Sequence, residues 1–208
     1  VALLHRYVKP VVVVALLLPW LWLGYLVYLE TLQTGSGLGA DPAEGLLHYL
    51  GEWSMIVLLC AFSVTPFSRQ FKWPALIRSR RLVGLFAFSF VFVHSVVFAI
   101  FYAELQLQIL LREVLERPYV TLGMASLMIL TLLGLTSTRR WQRRLGKSWK
   151  RLHQWVYLAV PLALLHLLWL RKDGYNDVAI YTLWAVVMAA ERLYVWRKRQ
   201  RQDQKAVL

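Results

Sequence analysis

Apolar residues in this chain come in long unbroken runs separated by short polar stretches. A helix rises 1.5 Å per residue, so about 20 apolar residues cross the roughly 30 Å hydrocarbon core of a bilayer. Six runs reach that length: about 10–30, 47–67, 82–103, 119–138, 152–170 and 178–196. They are continuous rather than ten-residue alternations, which predicts helices and excludes a barrel. His48 and Glu52 make the second run the least clean. The predicted fold is all-α: one domain over residues 1–208, a polytopic bundle of six transmembrane helices. The first run has no small-residue cleavage site behind it and reads as an anchor rather than a signal peptide.

Composition agrees, with 59% hydrophobic residues, 17% charged and a mean hydropathy of +0.50. The formal net charge of +13 would mark a nucleic-acid binder on a soluble domain. On this background it does not, and no nucleic-acid partner is expected. The charge is instead an orientation signal. Twenty of the 24 basic residues precede the first run, join runs two to three and four to five, or follow the sixth. Arg112, Arg117, Arg171 and Lys172 fall on the other side, with nine of the eleven acids. The positive-inside rule then places both termini and the basic loops in the cytoplasm.

No long soluble domain remains. Gly35-Ser36-Gly37-Leu38-Gly39 follows a membrane run and opens no βαβ unit, so it reads as a flexible turn and not a nucleotide loop. There is no Walker motif, no Rossmann unit and no evident internal repeat. Cys60 is the single cysteine, which excludes an internal disulfide and a thiolate cluster. Any metal chemistry must rest on histidine or carboxylate.

Ionisable residues inside a membrane are costly and mark function by default. His94 lies 13 residues beyond Arg81, about 20 Å along its helix, and His166 lies 15 beyond Arg151, about 22 Å along its own. Both helices run outward, so the two imidazoles are expected at one depth. Two histidines on different helices can supply both axial ligands of a haem in an apolar pocket. Zinc would need further ligands at that depth. The plainer alternative is a hydrogen bond from each histidine to a neighbouring helix.

His153 lies near the cytoplasmic face, 13 residues before His166. That interval leaves the two about 140° out of phase on an ideal helix, unless Pro161 kinks it. It has no matching histidine at the inner end of run three. Arg78, Arg80 and Arg81 stand there instead, suited to haem propionates or a flavin phosphate, or to lipid headgroups. His48 and Glu52 share a face near the outside and would form an interfacial pair or a proton relay. Glu191 is expected to pair with a loop arginine. His5 is terminal and has no assigned role. Trp and Tyr residues mostly cap the runs as an aromatic belt.

Gly37–Pro42 (GLGADP), Pro74–Leu85 (PALIRSRRLVGL), Arg117–Gly123 (RPYVTLG), Leu135–Thr138 (LTST) and Leu145–His153 (LGKSWKRLH) together resemble the MsrQ family. These are haem-binding membrane subunits of the ferric-reductase-like transmembrane superfamily, and the resemblance covers about residues 15–196. It implies a six-helix b-type cytochrome in the bacterial inner membrane, with one or two haems b. It implies electrons from the quinol pool or a cytoplasmic flavin reductase, delivered to a periplasmic molybdopterin-containing methionine sulfoxide reductase. It places haem ligation on His94, His153 and His166 and brings in FMN as a second cofactor. Two other functions stay open on the residues alone: a ferric or quinone reductase without a dedicated partner, and a small proton-linked transporter.

Overall fold

The computed structural model describes residues 2–171 and 174–207, with side chains described between residues 7 and 204 of that range. The described secondary structure is helical: α1 (Ala2–Leu32), α2 (Pro42–Gln70), α3 (Pro74–Ile77), α4 (Arg80–Phe101), α5 (Leu107–Glu116), α6 (Pro118–Leu135), α7 (Arg139–Leu145), α8 (Lys147–His153), α9 (Val156–Leu170) and α10 (Asn176–Val207). Six stretches are long and apolar enough to cross a membrane: Tyr7–Leu32, Pro42–Gln70, Arg80–Phe101, Pro118–Leu135, Lys147–Leu170 and Asn176–Gln204. They coincide with the six apolar runs, extended at several ends by polar turns. The all-α, six-span architecture is therefore what the hydropathy predicts.

Local chemistry sets the boundaries. The Asp41 carboxylate accepts from the amides of Ala43 and Glu44 at 3.0 and 3.1 Å, with Pro42 in the first turn of α2. That satisfies donors a helix start leaves open. Pro118 opens α6 after an extended Arg117. Gly146, at φ 51°, divides α7 from α8 in a conformation that disfavours a side chain.

Two details depart from expectation. The glycine-rich turn after α1 is fastened rather than flexible: the Glu30 carboxylate accepts from the amides of Gly35, Gly37 and Leu38. The fifth span is broken, but not at Pro161, which stays inside α9. Between α8 and α9 the amides of Gln154, Trp155, Tyr157 and Leu158 bond three residues back instead of four. This tighter winding resets the helical phase between His153 and His166.

Packing places the site. α4 lies chiefly on α2 and α9 chiefly on α6, with α4 also against α6 and α10 against α2. Leu50, Leu59 and Phe90 are fully buried, and Trp20 of α1 stacks on Phe90 at 4.3 Å. Polar groups join helices where lipid offers no partner. Trp184 Nε1 donates to Ser63 Oγ at 2.7 Å, Ser126 Oγ to the Ala159 carbonyl at 3.0 Å, and Tyr49 Oη to the Pro19 carbonyl at 2.7 Å. Val14, Leu18 and Leu21 on α1 and Leu183 and Val186 on α10 stay exposed, an apolar surface that fits lipid.

Candidate functional site

The two histidines expected at one depth are held alike. His94, on α4, places Nδ1 3.0 Å from the Leu47 carbonyl of α2. His166, on α9, places Nδ1 2.6 Å from the Tyr119 carbonyl of α6. A carbonyl only accepts, so each imidazole donates from Nδ1–H, which leaves the Nε2 lone pair free. Among the described residues neither Nε2 has a hydrogen-bond partner, and neither is among the sealed, unpartnered polar atoms. Both accepting carbonyls belong to the early turns of α2 and α6, at the end of the bundle away from the basic loops.

Glycines make these approaches possible. A Cβ on Gly51 would stand 3.1 Å from His94 Cε1, and one on Gly123 would stand 2.8 Å from His166 Nδ1. Both lie closer than side chains normally tolerate. Sequence reading missed both glycines, because a glycine in an apolar helix carries no signature beyond close packing.

The end near the basic loops differs. His153 Nδ1 turns to the carbonyl of Trp149, one turn back on its own helix, at 3.2 Å. Its Nε2 lies 3.4 Å from Ser137 Oγ, and its ring stacks on Trp149 with centroids 4.0 Å apart. Arg80 and Arg81 open α4, and Arg78 ends α3. Arg192, read from sequence only as part of the basic face, reaches between helices. It donates to the Tyr157 hydroxyl at 2.7 Å and to the Phe62 carbonyl, and its guanidinium lies 4.2 Å from the Phe62 ring centroid. Its Nε is buried without a partner, as is Thr65 Oγ1. Glu191 pairs with Arg69 at 3.2 Å, as expected of a loop arginine.

His48 does not pair with Glu52. It is exposed and approaches Glu44 at 4.0 Å, while Glu52 accepts from the Tyr181 hydroxyl of α10 at 3.4 Å. Both carboxylates lie four residues from His48, and α10 engages the second. The His5 side chain lies outside the described residues.

Among the described residues no three His, Cys, Asp or Glu side chains converge as a metal site. The donor set at His94 and His166 is two neutral imidazoles, which suits iron in a macrocycle that supplies its own equatorial nitrogens. The bundle is thus a multi-pass membrane protein of the class that sets histidines on separate spans in an apolar interior. Residues 50–164 match the family model described as ferric reductase like transmembrane component, and the chain belongs to that family. The match takes in His94, Gly51 and Gly123 and ends two residues before His166, and the family supports a membrane electron-transfer role.

Proposed function

We propose that the protein is the haem-carrying membrane arm of an electron-transfer system, with His94 and His166 as the two axial ligands of a haem b. The observation that carries this reading is the matched pair of histidines, each with Nδ1 committed to a carbonyl and Nε2 free. His94 and His166 would hold the haem through their free Nε2 atoms, and a haem held by two imidazoles would supply one-electron chemistry suited to passing electrons. The chain's own residues fix the ligands, exclude water with an apolar bundle and orient the carrier across the membrane.

The basic residues favour cytoplasmic termini and basic loops, in the bacterial inner membrane if the MsrQ resemblance holds. At the end with the basic loops Glu191 pairs with Arg69, Arg192 reaches between helices, and Arg78, Arg80 and Arg81 stand at the junction of α3 and α4. This excess of cations suits an anionic group, a haem propionate or the phosphate of FMN. His153 is the ligand proposed for a second haem, for which it would have to release Ser137. Electrons would come from quinol or a cytoplasmic flavin reductase and leave to a periplasmic molybdopterin-containing methionine sulfoxide reductase.

The test is the reduced-minus-oxidised spectrum of the purified protein. A sharp α-band of six-coordinate haem b is expected, lost in both His94→Ala and His166→Ala. A colourless protein from haem-sufficient cells contradicts the reading, and an intact band in either variant overturns the ligand assignment. Mixing reduced protein with ferric chelates, quinones or a methionine sulfoxide reductase subunit then shows which acceptor reoxidises it.

A further inference from the structure

The resemblance between the two histidine settings extends to their numbering. Each imidazole meets a carbonyl 47 positions earlier in the chain. Four residues after that carbonyl stands the glycine whose Cβ would strike the ring. From 47, 51 and 94 to 119, 123 and 166 is the same step of 72 positions. Other small, buried residues keep the step: Ser54 and Ser126, and Ala87 and Ala159, all of which are buried. These lie on the same pairs of helices, α2 with α4 and α6 with α9, which pack pairwise. The apolar runs hide this repeat because Leu, Val and Phe exchange freely on lipid-facing positions.

Within an α-helix the carbonyl of residue i already accepts from the amide of residue i+4. A second donor must come from the side, and these two imidazole rings come directly over residue i+4, where a Cβ would stand 3.1 Å from the His94 ring and 2.8 Å from the His166 ring. At both sites glycine at i+4 is therefore what lets a ring as broad as an imidazole come this close to the carbonyl. Two independent occurrences, in register, make this a device rather than an accident of packing.

We propose that Gly51 and Gly123, through the carbonyls of Leu47 and Tyr119, are the positioning residues of a duplicated histidine cradle. Each cradle locks its histidine in the Nδ1–H tautomer and aims Nε2 at the shared cofactor. This rests on the haem reading above. A hydrogen bond from Nδ1–H to a carbonyl raises the basicity of a ligating imidazole and favours the ferric state. Losing it shifts the equilibrium toward the ferrous form.

The experiment compares wild type, Gly51→Ala, Gly123→Ala and the control Gly84→Ala, where a Cβ meets nothing within 4 Å. Redox titration of the haem is expected to favour the reduced state about tenfold in Gly123→Ala, which is 59 mV for one electron. Gly51→Ala should shift less, because its contact is longer, and Gly84→Ala should not shift. Full haem content with an unchanged midpoint in both cradle variants overturns the proposal. Nitrogen-15 NMR of histidine-labelled wild type provides a second arm that needs neither variant nor haem. Nδ1–H tautomers at His94 and His166 support the cradle, and Nε2–H tautomers contradict it. A haem-free wild type contradicts the haem reading, while this arm still decides the cradle.

Discussion

The two ends of the bundle carry histidines in opposite circumstances. At the end away from the basic loops, His94 and His166 each bond a carbonyl of another helix, at 3.0 and 2.6 Å, and keep Nε2 free. At the basic end, His153 bonds a carbonyl of its own helix, stacks on Trp149 and approaches Ser137. A ligand held by a neighbouring helix is aimed by the fold as a whole. One held by its own helix is aimed only locally. The 72-residue step that relates His94 to His166 leads back from His153 to Arg81. The repeat therefore ends where cations replace imidazoles, and the proposed ligation falls at the end away from the basic loops.

The largest expected effect sets these ends against each other. His94→Ala and His166→Ala should each remove the haem b band, whereas His153→Ala should keep it. A band lost in His153→Ala but kept in His94→Ala would invert the comparison. Arg192→Ala comes next. It removes two hydrogen bonds and the contact with Phe62, at a cost of about 1–3 kcal/mol, seen as a lower melting temperature in detergent with the outer-site spectrum unchanged. Trp184→Phe, which deletes the bond to Ser63, and Ser126→Ala, which deletes the bond to Ala159, should each cost about 0.6 kcal/mol. A spectral change in either would mean that the two ends are not independent. Glu30→Gln should have the smallest effect, namely faster hydrogen exchange at Gly35, Gly37 and Leu38 with no change elsewhere.

Much of this arrangement was legible in the sequence. Hydropathy located all six spans, and helix direction placed His94 and His166 together, because depth follows from counting at 1.5 Å per residue. What escaped depends on contacts rather than periodicity. His48 has a carboxylate four residues away on either side, and only Tyr181 of α10 determines that Glu52 is engaged elsewhere. Pro161 carried the obvious signal for a break in the fifth span, yet a helix can hold a proline when neighbours satisfy the freed carbonyl. The actual break, at Gln154 and Trp155, has no sequence signature. The amphipathic α5 lies between two apolar runs, and its charges, Arg112, Glu113 and Glu116, kept it out of the span pattern. Gly51 and Gly123 became meaningful only when an imidazole stood over each.

The central claim is that one haem iron lies between two imidazoles from α4 and α9. Near-infrared magnetic circular dichroism of the oxidised protein tests it most directly, because the charge-transfer band reports the axial pair. The account predicts a bis-histidine band in wild type that is absent from both His94→Ala and His166→Ala. A histidine–methionine or histidine–water signature in wild type would contradict it.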